Sequence, residues 1–417
     1  MNERSFLFLQ GPATPFFSEP AARLHAVKHR VFKVNFNVGD VVYWRQSGAL
    51  SFHDSLELLP AWSRSVLVDH AITDIVLFGD RRPVHRPFIE AANKLKLRIH
   101  VFEEGYFRPH WITLERGGVN GHSQLPKNAE WFRQVADLIH VVPVRTPFKM
   151  PFNQRVVHDV IYHAAGALNP FFFPSYRTHA IYSAPKEYAG YVWRMLRLRR
   201  RGGSDQQRFS RVLQTGQPFF LLPLQLDGDA QIRDHSSFDG VGGVMRAVIE
   251  SFAKFAPPEA LLLVKNHPLD PGLVSHEQVC SALANRYEIA HRVLFFEKGD
   301  LETMVRCAHG VVVANSTVGT LALERGTPVA SLAPSIYALD GLVTCRHLNE
   351  FWQNPIKPDN ALFTAFRSVS LATTQINGGF YCKTGIQMAI DGAIPRLLAA
   401  QSPIEQLITE DMPHANI

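Results

Sequence analysis

The chain of 417 residues contains no apolar run approaching the roughly 18 residues that cross a bilayer as a helix. Its greasiest stretches, Ala260–Val264 and Phe219–Leu224, are strand-sized. Cysteine is scarce: Cys280, Cys307, Cys345 and Cys382 are spread through the second half, with no pair at CxxC spacing. Paired-cysteine metal and redox motifs are thereby excluded, and buried free thiols in a reducing compartment are expected. The N-terminus Met1-Asn2-Glu3-Arg4 lacks a charged-then-apolar leader, and Gln10-Gly11-Pro12 ends the short apolar stretch Phe6–Leu9, so a soluble, non-secreted protein is expected. GxxxxGK[ST], GxSxG and HExxH are missing, and no GxGxxG follows the first strand. ATPase, hydrolase, zincin and simple dehydrogenase readings lose their usual supports.

What is present is ordinary in bulk. Apolar residues make up 46%, which excludes disordered, collagen-like and coiled-coil chains, and the length suits two or three domains. The net charge of +6 is unevenly placed, with five arginines in Trp193–Arg201. Such a run meets anionic lipid, nucleic acid or an acidic partner, or is a solvated face.

Short apolar runs alternate with helical patterns, the signature of parallel α/β architecture. Phe6–Leu9, Arg30–Asn35, Thr73–Phe78 and Leu97–Phe102 read as strands, with helices over Ser18–His29 and Pro87–Lys96. The aromatic, proline-rich stretch Phe148–Thr178 resists assignment, and Arg201–Gln207 reads as a linker, placing a boundary near 205–215. The alternation then restarts. Strands are expected at Phe219–Leu224, Ala260–Lys265, Val293–Glu297, Val311–Asn315 and Pro328–Leu332, with helices between them. A last helix is expected over Thr384–Ile394, stopped by Pro395. The expected domains are 1–205 and 206–395 with a tail over 396–417, both Rossmann-like and facing across a cleft as in GT-B glycosyltransferases.

Polar clusters follow several of these strands, where open α/β sheets bind ligands. Gln10-Gly11-Pro12 offers close backbone approach, although a plain strand-to-helix turn uses the same residues. In Phe102–Glu115, Glu104 suits a base for a hydroxyl and Arg108 a clamp on a carboxylate or phosphate. Leu224–Phe238 carries Asp227, Asp229, Gln231, Arg233, His235 and Ser236, and a catalytic carboxylate is favoured over a tight turn. Lys265 and His267 make an anion site at a strand end. Asn315, Ser316 and Thr317 lead into a helix whose free N–H groups suit a phosphate, although Ser316-Thr317 also reads as an ordinary N-cap. Glu324 is placed to meet a ribose or base.

These segments resemble the bacterial capsule polysaccharide β-Kdo transferases of the KpsS and KpsC type, with the KpsS branch the nearer. The resemblance is carried by FLFLQGPATPFF, VFKVNFNVGD, FGDRRPVH, FEEGYFRPHWITLE, LQLDGDAQIRDHSSF, KNHP and NSTVGTLALERGTPV, scattered from residue 6 to about 330. It implies a GT-B enzyme that transfers Kdo from CMP-Kdo to a phosphatidylglycerol-type lipid, the first β-Kdo of the capsule linker, with retention by double displacement. It places the nucleophile at Asp229, with Asp227 open as the alternative and Gln231 and His235 as neighbours. Lys265, His267, Asn315, Ser316 and Thr317 would hold the CMP phosphate and Glu324 the nucleoside. Glu104 would be the base, with Gln10, Gly11 and Arg108 on the acceptor side. No metal, cofactor or nucleic-acid partner is implied. The Arg194–Arg201 cluster and Phe171–Phe173 would meet the inner-membrane surface, making the protein cytoplasmic and peripheral, with a capsule assembly or export complex as a further partner. A related enzyme using another CMP-sugar such as sialic acid, or a non-catalytic assembly or export factor, are the alternatives.

Overall fold

Strands buried on both faces need uninterrupted apolar sequence rather than alternation, and the segments FFLLP, LLLVK and GVVV meet that need with every residue buried. The computed structural model describes residues 3–411 except 179, 202, 235 and 345–347. Among these, twelve strands form two sheets: β1 (Ser5–Phe8), β2 (Arg30–Asn35), β3 (Ala49–Ser51), β4 (Asp74–Phe78), β5 (Arg98–Glu104), β6 (Trp111–Arg116), β7 (Phe219–Pro223), β8 (Leu261–Lys265), β9 (Val293–Phe296), β10 (Gly310–Val313), β11 (Val329–Ser331) and β12 (Gln375–Asn377).

The first sheet runs β12-β6-β5-β4-β1-β2-β3 and the second β11-β10-β7-β8-β9. β1 to β5 are parallel to one another, as are all five strands of the second sheet, whereas β6 and β12 are antiparallel additions. Each parallel set winds outward in both directions from its first strand, the Rossmann-like order. In each sheet the winding reverses once, between β1 and β4 and between β7 and β10, and ligands bind outside the strand ends at such a point. The chain is α/β with two Rossmann-like units, the build of GT-B enzymes.

The units do not divide where the composition breaks. The first comprises Met1–Pro126, Val135–His179 and Ser368–Ile417, and the second Lys127–Gln134 and Ala180–Arg367. The expected linker over Arg201–Gln207 leads instead into a helix, Ser204–Thr215. Its Asp205 is buried, accepting hydrogen bonds from the backbone N–H groups of Glu297 and Lys298 at 2.9 Å each, which ties this polar stretch into the second unit. The C-terminal segment returns to the first unit because Ile376 of β12 pairs with Ile112 of β6. The helix Lys383–Leu398 contains Pro395 instead of stopping at it. Leu397 beyond it is buried with Phe6 and Phe8, and Arg396 donates to the backbone carbonyls of Ala372, Thr373 and Gln375. Cys280 and Cys382 are buried as expected, but Cys307 is exposed, and Cys345 lies outside the described residues.

The first sheet is pinned at its N-terminal edge by Asp74, whose side chain is fully buried. It accepts from Arg4 Nε, Arg98 Nε and His100 Nε2 at 2.9 Å each and from the Thr73 hydroxyl at 2.6 Å. Burial opposes ionisation of this carboxyl, but the bonds from His100, Arg4 and Arg98 outweigh it and hold the group well below the usual carboxylate range. A carboxylate depressed in this way stabilises the fold above the unfolded value near pH 3.9 and loses that contribution as the pH falls. Asp74→Asn, which leaves two guanidinium groups unpaired, is expected to cost about 3–5 kcal/mol at pH 7. In urea denaturation at stepped pH, the gap to wild type should close in acid.

Candidate functional site

At the reversal point of the second sheet, the loops after β7 and β10 meet through one side chain. Gln225, buried two residues beyond β7, donates from Nε2 to Asp229 Oδ2 at 3.2 Å and to Asn315 Oδ1 at 3.3 Å. Asn315, two residues beyond β10, is itself buried. A neutral amide joins the two strand ends without adding charge, so the carboxylate of Asp229 and the Asn315-Ser316-Thr317 turn form one polar surface. The Asp229 carbonyl accepts from Ile232 and Arg233, which starts the short helix Ala230–Arg233. Gln231 is in that helix, with its side chain outside the described set, and His235 lies outside the described residues altogether.

The Ser316-Thr317 turn opens the helix Val318–Glu324. Ser316 Oγ accepts from the Val318 N–H at 3.2 Å, and Tyr337 donates its hydroxyl proton to the Ser316 carbonyl at 2.6 Å. Gly319 is obligatory here, since a Cβ would sit 2.3 Å from the Tyr337 hydroxyl. Glu324 is at the far end of this helix, about 10 Å along its axis, exposed and 4.0 Å from Arg367 Nε. It is not part of the reversal-point cluster.

The loop after β8 has a different use for its cation than expected. Lys265 is buried, and its ammonium donates to the backbone carbonyls of Asn266 at 2.8 Å and Glu297 at 3.2 Å. Burial, then the nearby Arg194, lowers it to about 8. It therefore ties the ends of β8 and β9 together instead of presenting its charge outward. His267 is half-buried, and its Nδ1 accepts from the Leu269 N–H at 3.1 Å, so the neutral ring holds its proton on Nε2.

A buried network fixes this loop. Arg194, in the helix Ala184–Arg201, donates to Glu297 Oε2 at 2.9 Å and to the carbonyls of Pro268 and Asp270 at 2.8 Å each. Arg197 reaches Glu297 Oε1 at 3.0 Å, and Asn266 Nδ2 bridges Glu297 and Asp270 at 2.9 Å each. The arginine run thus supplies two structural cations, and Arg194 and Arg197 are not a solvated basic face. The network continues to His276, which is buried with Nε2 3.4 Å from Asp227 and 3.9 Å from Asp270. Burial works against its charge, but the bond to Asp227 and the fields of Asp227, Asp270 and Glu297 raise its pKa. Asp227 and Asp229 are therefore distinct, the first paired with an imidazole and the second joined to the Asn315 turn.

The first unit repeats the device. Gln10, two residues beyond β1 and buried, donates to Asp40 Oδ2 at 3.2 Å and to the Tyr162 hydroxyl at 3.1 Å, and accepts from Arg82 Nη1 at 3.0 Å. Arg82 also binds the Gly11 carbonyl at 3.0 Å. A Cβ at Gly11 would lie 2.7 Å from the Phe17 ring, so this glycine makes room for a core aromatic. Asp40, Arg82 and Tyr162 did not stand out in sequence, since nothing local marks their meeting around Gln10. Glu104 accepts from the Tyr381 hydroxyl at 3.2 Å, while Glu103 points to the opposite face beside Gly79. Arg108 is exposed in the β5–β6 turn.

Comparison with known proteins finds relatives along most of the chain. The family described as "capsule polysaccharide biosynthesis protein" matches residues 73–381. The capsule polysaccharide export protein KpsS of Escherichia coli is 33% identical over 382 residues, 91% of this chain and 98% of that protein. The capsule polysaccharide modification protein LipB of Neisseria meningitidis serogroup B is 33% identical over 389 residues, 91% of this chain and 92% of its own. Among solved structures, the β-Kdo 2,7 transferase of Thermosulfurimonas dismutans KpsC is similar with a TM-score of 0.44 at 13% identity, covering 94% of this chain and 99% of that one.

Two tests follow from the buried network. Glu297→Gln should cost about 3 kcal/mol or more at neutral pH. Glu297 is depressed by Arg194 and Asn266 against the pull of burial, so its contribution is present above about pH 4.3 and fades below it. Denaturation curves of the variant and wild type should converge in acid. Separately, Lys265 should contribute a rising share of stability between about pH 8 and 10.4, because the unfolded chain keeps a proton that Lys265 has released, against the opposite contribution of the buried Cys280 thiol, raised to about 12. Lys265→Met should flatten part of that rise in urea titrations, leaving the share of Lys33, which burial also lowers to about 8.

Proposed function

This chain belongs to the capsule polysaccharide biosynthesis family, and from that premise we propose that it transfers Kdo from CMP-Kdo to a phosphatidylglycerol-type lipid. The observation that carries this reading is the Gln225 bridge, which joins a carboxylate to a helix-opening turn at the reversal point of the second sheet.

In the proposed mechanism the Asn315-Ser316-Thr317 turn and His267 hold the CMP phosphate and take up the negative charge that grows as CMP leaves. The anomeric carbon becomes oxocarbenium-like, and Asp229 captures it as a covalent glycosyl-enzyme. An acceptor hydroxyl, losing its proton to a base, then displaces Asp229, and the two inversions give net retention. Asp229 is preferred to Asp227 because it is coupled to the turn assigned to the leaving group. Asp227 is paired with His276 and belongs to the network that shapes the loop after β8. Lys265 serves by holding that loop, and Gln10 by holding Arg82 and Asp40.

The test is transfer in vitro with fresh CMP-Kdo and short-chain phosphatidylglycerol, read by mass spectrometry. Acceptor should gain one Kdo with the wild-type protein. Asp229→Asn should lower the rate at least about a thousandfold, whereas Asp227→Asn should retain measurable transfer. The reverse order would move the nucleophile to Asp227. Transfer of another CMP-sugar in preference would change the donor, and a folded protein that binds no CMP would end the transferase reading.

A further inference from the structure

The helix Phe152–Gly166 in the first unit is amphipathic the wrong way round for a soluble protein. Its polar and aromatic side faces inward: the Tyr162 hydroxyl accepts from Asn37 at 2.7 Å, and His158 Nδ1 is 2.9 Å from the Tyr43 hydroxyl. At about 100° per residue, Phe152, Val156, Val157 and Val160 fall on the other half of its circumference, and all are exposed. No residue of this helix is buried. The following turn of helix, Asn169–Phe172, is anchored by Asn169 accepting from the Val38 N–H at 2.9 Å. Its Phe171 and Phe172 nevertheless project, 81% and 58% exposed. Phe173 does not share this surface; it is buried and stacked on His53 at 4.8 Å.

We propose that this inverted helix and its phenylalanine tip are a membrane-seating surface, and that its occupant is an anionic lipid bilayer. Apolar side chains held pointing outward cost free energy in water, and burying each phenylalanine in the acyl boundary recovers it. Charge selects the occupant. Between residues 141 and 178 the basic groups Arg145, Lys149, Arg155 and Arg177 stand against the single acid Asp159, and Arg145, Lys149 and Arg177 are exposed. A two-fold contact between copies of the chain would set this net-basic segment against itself, whereas an anionic surface neutralises it. No helix among the described residues is long and apolar enough to cross a bilayer, so the seating is shallow. The inference deepens the lipid-acceptor reading and rests on it for its purpose, since an acceptor embedded in a bilayer must be reached at the surface.

The experiment is co-sedimentation of the full chain with phosphatidylcholine vesicles, with and without phosphatidylglycerol. Wild type should prefer the anionic vesicles. Phe171→Ser with Phe172→Ser should weaken binding about tenfold or more, and Lys149→Gln with Arg177→Gln should reduce its salt sensitivity. Val156→Asn is a second variant should the tip variant lose its circular-dichroism signature. Arg199→Gln, on an exposed position of the arginine run, should bind as wild type does. Vesicle binding unchanged by the Phe171 and Phe172 substitutions would overturn the proposal, as would a solution dimer that these substitutions dissociate. Transfer to a monomeric short-chain acceptor separates the two readings. Its loss in wild type, with vesicle binding intact, overturns the transferase and leaves the membrane surface standing.

Discussion

The second unit depends on one buried ion pair, Arg194 with Glu297. Removing two charges from water is costly, and the cost is offset only when every donor and acceptor is used. Here the guanidinium also takes the carbonyls of Pro268 and Asp270, and the carboxylate also takes Arg197 and Asn266. This saturation forces the helix Ala184–Arg201, the loop after β8 and the end of β9 into one arrangement. The positions of His267, His276 and, through it, Asp227 follow from that arrangement. A hydrophobic contact in the same place would permit sliding; directional bonds to five groups do not.

The two units solve the same problem with the same residue type. Where a Rossmann-like sheet reverses its winding, two strand ends diverge and leave polar backbone around a gap. In each unit a glutamine two residues past the first strand spans that gap, Gln10 toward Arg82 and Gln225 toward Asn315. An amide is suited to this because it donates and accepts at once and brings no charge needing compensation. The polarity around each glutamine differs: Gln10 organises an aspartate, an arginine and a tyrosine, while Gln225 joins a carboxylate to a helix-opening turn. One framework thus presents two chemically different surfaces.

The parallel strands were legible because fully buried strands are written as unbroken apolar runs, and nine of them could be read to within a residue or two. β3, β6 and β12 were missed. β3 and β12 are three residues each at the sheet margins, whereas β6 is a six-residue internal strand whose sequence WITLER breaks its apolar run with polar residues; Gln375–Asn377 has no apolar run at all and is a strand because β6 offers it a partner. The polar clusters lie at strand ends, as their position after apolar runs in the sequence suggests. Their individual jobs were less legible. Lys265 looked like a phosphate ligand and is a clasp between strand ends, and Gly11 looked like a substrate platform and accommodates Phe17.

By itself, then, the sequence determined the α/β class, the Rossmann-like alternation and the loops that carry polar chemistry, because these depend on local periodicity and on which residues follow a strand. Tertiary structure alone decided which neighbouring acid meets which partner, that the arginine run turns two of its members inward, and that the 152–166 helix turns its apolar side outward. Those outcomes hang on contacts between residues more than a hundred positions apart, such as Arg194 with Glu297 or Tyr162 with Asn37. Nothing in either neighbourhood encodes a partner that distant, and the energy of a buried charge or amide is set by the partner it finds.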